Sequence, residues 1–79
     1  MITLYVKTGC PFCAKVIAVV DELNLDVEYK NKDDEGVIDE LMMRGGKSQY
    51  PYLVDTEREV EIYESDDIVA HLRQHYGAE

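Results

Sequence analysis

The spacing of hydrophobic and polar positions changes several times along the chain, and each change marks an element. Ile2-Thr3-Leu4-Tyr5-Val6 is β-branched and aromatic and reads as a first strand. Lys7-Thr8-Gly9 is a short loop, and Pro11 suits the first position of a helix, where its missing N–H costs nothing. Phe12, Val16, Ile17, Val19, Val20 and Leu23 then recur at helical spacing, which predicts a helix over 11–23 that stops at Asn24. In 26–31, Val27 and Tyr29 alternate with charges, as a second strand requires. Asp33 or Asp34 is expected to cap a second helix carrying Val37, Ile38, Leu41 and Met42, with Gly45-Gly46 ending it. Segments 52–55 and 59–63 read as two short strands joined by a polar turn. Ser65 is expected to cap a last helix, with Asp66 and Asp67 in its first turn, Ile68, Val69 and Leu72 on its apolar side, and Gly77 at its end.

The predicted order is β-α-β-α-β-β-α, an α/β domain. The first two strands flank a helix and should be parallel, with a right-handed crossover. The last two form an antiparallel hairpin. A four-stranded mixed sheet with three helices divided over both faces buries every apolar stripe. At 79 residues, with no linker, repeat or low-complexity segment, the chain reads as one domain over 1–79. A domain this small buries only about 60% of its unfolded surface, so its core is thin. The longest apolar run is the five residues Val16 to Val20, too short to span a membrane. No basic, apolar leader opens the sequence, and a cytoplasmic location is expected.

Eight basic residues stand against 17 acidic ones, a net charge of -9, which argues against nucleic acid or an anionic membrane as partner. The distribution is more informative. Residues 1–20 hold Lys7 and Lys15 and no acid, and residues 41–54 hold Arg44 and Lys47 and no acid. A positive face on an acidic body is expected where those segments meet.

The two cysteines, Cys10 and Cys13, form a C-x-x-C at the first strand-to-helix junction. A disulfide closing so small a loop constrains little unfolded-chain entropy and is a poor staple. Zinc would need His71 and His75 as further ligands, but 57 residues separate Cys13 from His71, against about 12–15 in a finger. No metal is expected, and the two histidines read as a solvated helix end. Strand C-terminal ends are where open α/β sheets place their sites. Cys10 at the helix N-cap faces free backbone N–H groups, the positive end of the helix dipole and Lys7, all of which favour thiolate. Cys13, one turn on, is expected to be more buried. This makes Cys10 the attacking nucleophile and Cys13 the resolving thiol.

Lys7-Thr8-Gly9-Cys10-Pro11-Phe12-Cys13 resembles the active-site stretch of the glutaredoxin family. Tyr50-Pro51 resembles that family's segment with a cis-proline. Glu64-Ser65-Asp66-Asp67, before the last helix, resembles the Glu-Ser pair in the thioredoxin-like domain of glutathione transferases even more closely. The resemblance covers nearly the whole chain and implies a thioredoxin-like fold. It implies glutathione, or a related γ-glutamyl thiol, as cosubstrate with no resident cofactor, and protein or mixed disulfides as substrates of a monomer. Ser65 and the last helix N-terminus would hold the γ-glutamyl carboxylate, and Asp66 its ammonium. Lys7, Lys47 or Arg44 would hold the glycine carboxylate, and the backbone at Tyr50–Pro51 would pair with the cysteinyl residue. Pro11 and Phe12 would support the thiols. Tyr63-Glu64 in place of Gly-Gly and Gln49-Tyr50 in place of Thr-Val depart from glutaredoxins. These departures leave open a thioredoxin-like protein reduced by a flavoprotein, an iron–sulfur cluster binder and a transferase-type binding domain.

Overall fold

A computed structural model describes residues 1–77. Its elements follow the predicted order: β1 (Ile2–Val6), α1 (Pro11–Glu22), β2 (Val27–Asn31), α2 (Val37–Gly45), β3 (Tyr52–Asp55), β4 (Val60–Ile62) and α3 (Ser65–Tyr76). The sheet order is β2-β1-β3-β4. β1 pairs with β2 in parallel, with Ile2 opposite Val27 and Val6 opposite Asn31. It pairs with β3 antiparallel, Leu4 opposite Leu53, and β3 and β4 form the antiparallel hairpin. This is the thioredoxin-like arrangement of a four-stranded mixed sheet with three helices.

Alternation along the strands sends side chains to two cores. On one face Ile2, Leu4, Val6 and Leu53 meet Cys13, Val16 and Val20 of α1 and Ile68 and Leu72 of α3. On the other, Tyr5, Tyr52 and Val54 meet Val37 and Leu41 of α2. Two tyrosines of this smaller core bring their hydroxyls to carboxylates at its rim. Tyr5 donates to Glu40, which also takes Lys30 Nζ at 2.7 Å, and Tyr52 donates to Glu61, which also takes Arg44 at 3.2 Å. Burial, then the neighbouring carboxylate, pushes the Tyr5 hydroxyl up to about 12 and Tyr52 well up as well. Both act as donors at all ordinary pH values.

Helix ends differ from expectation at two places. α2 is capped by Gly36 at φ 82°, a left-handed backbone that favours glycine, with no side-chain cap. Asp34 instead turns back to accept from the Asn31 N–H at 3.2 Å, closing the loop after β2. At α3 the N-cap is Glu64 and Ser65 is the first helical residue, again without a side-chain cap bond. The N–H groups of that end are therefore not taken by a local side chain.

The larger correction concerns His71. It is not part of a solvated helix end: it is 8% exposed and lies beside Asp55, which is fully buried. His71 Nε2 is 2.9 Å from Asp55 Oδ2, and the Tyr76 hydroxyl donates to the same oxygen at 2.7 Å. The backbone N–H groups of Glu57 and Arg58 donate to Oδ1 at 3.2 and 3.4 Å. Asp55 thus gathers the end of β3, the β3–β4 turn and the last two turns of α3. Its burial alone would raise the carboxyl, but the bonds from His71, Tyr76 and Arg58 outweigh that and hold it below the usual carboxylate value. His75 is exposed, with its ring 4.7 Å from that of His71.

Removing Asp55 would leave His71, the Tyr76 hydroxyl and two backbone N–H groups without their shared acceptor, and orphaned buried polar groups are expensive. Asp55→Ala should therefore cost about 3–5 kcal/mol, read as a lowered urea midpoint. The depressed carboxyl adds stability above its unfolded value of about 3.9, and this is lost as the pH falls through the folded value. The gap between wild type and Asp55→Ala should accordingly narrow below about pH 4. A variant as stable as wild type at pH 7 would show that the cluster does not hold the hairpin to α3.

Candidate functional site

Cys10 is the N-cap of α1, in extended backbone at φ -95°, and its Sγ accepts the Cys13 backbone N–H at 3.2 Å. Pro11 at the first helical position pre-sets the turn without needing a hydrogen bond of its own. The loop before it turns at Gly9, where φ is 75°. Both thiols are free and both are buried, Cys10 7% and Cys13 2% exposed. Burial, then the bond to Cys10, pushes the Cys13 thiol up to about 11 against a smaller pull from Lys7. Cys13 therefore keeps its proton at neutral pH. A groove of about 490 Å³ runs over this junction, lined by Lys7, Cys10, Pro11 and Cys13 together with Ala14, Ile17 and Asn31.

A second groove, of about 310 Å³, lies beside it and is lined by Phe12, Tyr50, Pro51, Tyr63, Ser65 and Asp66, with Gln49 and Glu64. Phe12 is 61% exposed and Pro11, its neighbour in the chain, lines the first groove, so the two grooves share the rim of α1. The Tyr50–Pro51 bond is cis, as the resemblance implied. The start of α3 opens on this groove with a free helix end, a setting that suits a carboxylate. Cavities of this size, with an apolar wall and a few convergent polar groups, are where small ligands bind.

Two of the four bases of the expected positive face are paired with acids. Lys15 pairs with Asp66 across α1 and α3, and Arg44 pairs with Glu61. Lys47 lies outside both grooves, its ammonium 4.8 Å above the Tyr63 ring. Lys7 is exposed beside the thiols. The structure thus brings Cys10, Cys13, Lys7 and Pro11 together, and separately Phe12, Tyr50, Pro51, Ser65 and Asp66. Lys15, as the partner of Asp66, and Tyr63, as the partner of Lys47, were not anticipated. Spacing alone does not reveal either pair, since each joins elements remote in sequence. A third cavity, lined in part by Met1, Leu25, Val27 and Tyr76, lies at the opposite end of β1 from the thiols. Among the described residues no group of three or more metal-ligating side chains is assembled, and no helix is long and apolar enough to cross a membrane.

Residues 4–79 match the family described as glutathione S-transferase, N-terminal domain. A comparison with curated proteins gives no match. Among solved structures, the chain is similar to a glutathione S-transferase from the Antarctic clam Laternula elliptica. There the identity is 27%, over 95% of this chain and 35% of that one, with a TM-score of 0.81. It is similar to glutathione transferase E6 from Drosophila melanogaster, with 26% identity over 100% of this chain and 36% of that one and a TM-score of 0.81. It is also similar to Ure2p in complex with glutathione, with 26% identity over 95% of this chain and 33% of that one and a TM-score of 0.79. The chain therefore spans about a third of the length of the structures it matches. The match is to this transferase domain and not to glutaredoxins, whose resemblance rests on the Lys7–Cys13 stretch and on Tyr50-Pro51.

The difference between the two thiols has a direct chemical readout. Iodoacetamide at pH 7 should label Cys10 and spare Cys13, which burial holds as a thiol. Labelling of Cys13 should grow as the pH approaches 11. Peptide mass spectrometry showing equal labelling of the two at pH 7 would contradict the assignment of roles.

Proposed function

This chain belongs to the glutathione S-transferase N-terminal domain family, and on that premise we propose that it is a glutathione-linked thiol–disulfide oxidoreductase. The observation that carries the reading is the pair of thiols on one helix end, Cys10 Sγ accepting the Cys13 N–H at 3.2 Å beside an open groove. A domain that only held glutathione would have no use for the second thiol. The similarity to Ure2p, whose structure is a complex with glutathione, supports glutathione as the ligand. The cytosol, where glutathione keeps thiols reduced, suits such chemistry.

In the proposed reaction the Cys10 thiolate attacks the glutathione sulfur of a mixed disulfide, R–S–SG. A Cys10–SG bond forms, the S–S bond between the substrate sulfur and the glutathione sulfur breaks, and the substrate leaves as the thiolate RS⁻, which takes a proton from water. A second glutathione thiolate then attacks the sulfur of the bound glutathione, releasing oxidised glutathione and regenerating the Cys10 thiolate. With a protein disulfide, Cys10 forms a mixed disulfide with the protein instead. Cys13 then loses its proton and attacks Cys10, freeing the protein thiol and leaving a Cys10–Cys13 disulfide for two glutathiones to reduce.

The second groove suits the ligand's other groups. The free α3 N-terminus with Ser65 would take the γ-glutamyl carboxylate. Asp66 would take the ammonium in exchange for Lys15, an exposed pair that is cheap to open. The backbone at Tyr50–Pro51 would run along the cysteinyl residue as an added strand does. Lys7 or Lys47 would face the glycine carboxylate, and Phe12 would wall the groove.

The test is reduction of hydroxyethyl disulfide with glutathione and glutathione reductase, compared with thioredoxin reductase as the electron source. Turnover with glutathione is expected. Cys10→Ser should abolish it, and Cys13→Ser should keep it while losing the reduction of protein disulfides. Asp66→Asn should raise KM for glutathione and leave kcat nearly unchanged, because ground and transition states share that contact. Turnover with thioredoxin reductase alone would overturn the glutathione reading and favour the thioredoxin-like alternative.

A further inference from the structure

Tyr63 follows β4 and, with Glu64, stands at one of the two places where the chain departs from the glutaredoxin pattern. Its ring stacks on Tyr52 with centroids 4.3 Å apart, which fixes it against the sheet. Its hydroxyl donates to the Lys47 carbonyl at 2.7 Å and accepts the Lys47 N–H at 3.3 Å, so a single side chain satisfies both polar groups of that residue's backbone. The Lys47 ammonium lies 4.8 Å above the same ring. The approach is so close that a side chain at Gly45 would displace the ring: a Cβ there would overlap the hydroxyl oxygen and lie 2.6 Å from Cζ. Gly45 is the last residue of α2, and its backbone has no positive φ that would demand glycine. The ring of Tyr63 is what demands it.

The held segment is the loop from Gly46 to Tyr50, which leads directly into Pro51. Ser48 and Tyr50 complete it through a weak hydroxyl contact at 3.4 Å. Tyr63 itself also lines the groove shared by Tyr50, Pro51 and Ser65. We propose that Tyr63 is a positioning residue: by clasping the Lys47 backbone, in space kept open by Gly45, it sets the Tyr50–Pro51 rim against which glutathione binds. This rests on the glutathione reading above. Tyr63 exchanges no proton and touches no reacting sulfur; it acts through the loop.

The test uses Tyr63→Phe, which keeps the ring, its stacking on Tyr52 and its contact with the Lys47 ammonium, and removes only the two hydrogen bonds. Amide exchange of Lys47 should accelerate. KM for glutathione should rise roughly three- to tenfold, the value of one or two hydrogen bonds, while kcat stays within about twofold. Gly45→Ala, which on helix propensity alone should be harmless, should raise KM in the same way because it drives the ring off the loop. An unchanged Lys47 exchange rate in Tyr63→Phe, or faster exchange with unchanged KM, would overturn the proposal. So would a Gly45→Ala variant with wild-type KM. Wild-type protein with no glutathione-dependent turnover would overturn the glutathione reading itself. In that event the Lys47 amide would still decide whether Tyr63 anchors the loop.

Discussion

Everything the domain offers chemically depends on where β1 ends and α1 begins. The chain leaves the sheet at Val6, turns at Gly9 and enters the helix at Pro11, so that Cys10 caps the helix with its sulfur. A capping sulfur must face the backbone N–H groups that the helix leaves unpaired, and here it accepts that of Cys13 at 3.2 Å. The parallel pairing of β1 with β2 then requires α1 to lie across the sheet as a crossover. That crossover places Val16 and Val20 in the larger core and commits Cys13 to burial with them. The positions proposed as attacking and resolving thiol are thus separated by the same geometry that folds the domain.

The second half of the site is assembled by the hairpin and α3. Asp55, at the end of β3, draws in His71 and Tyr76 and so fixes how α3 lies on the sheet. The α1–α3 packing continues this through Ile68 and Leu72 against α1, and outward through the pairs Lys15–Asp66 and Arg73–Glu22. The N-terminus of α3 consequently points into the groove next to the thiols. Of these contacts the buried Asp55 cluster matters most for stability, since exposed ion pairs contribute little each. On the opposite face of the sheet, Tyr5 holds α2 through Glu40, Tyr52 bonds Glu61 of β4, which in turn takes Arg44 of α2, and the loop after α2 supplies the rim at Tyr50–Pro51.

Most of the fold is legible in the sequence because each element carries its own period. The β-branched and aromatic run of 2–6, the alternation of Val27 and Tyr29 with charges and the 3.6 spacing of Val16, Val20 and Leu23 are local signals, and element ends agree to within about two residues. The thiol half of the site is legible for the same reason: Cys10, Pro11 and Cys13 lie within one turn of each other. What the sequence hides is non-local. Asp33 and Asp34 are good caps by type, but the turn after β2 claims Asp34, leaving Gly36 as the cap of α2. His71 reads as solvated because histidine is polar, although its spacing from Ile68 and its place beside Leu72 put it on the inward side of α3. A polar residue on an apolar stripe, with an aspartate ending an otherwise apolar strand, is the signal that could reveal the cluster. The pairing of Lys15 with Asp66 and of Tyr63 with Lys47 depends on the tertiary fold and leaves no mark in the spacing.

The central claim is that Cys10 forms a mixed disulfide with glutathione. It is tested most directly by incubating Cys13→Ser with oxidised glutathione and measuring the intact mass. Attack by Cys10 should release one glutathione and leave a single glutathione adduct, mapped to Cys10 by peptide analysis and removed again by excess glutathione. Protein that stays unmodified while its Cys10 remains free to react with iodoacetamide would contradict the account.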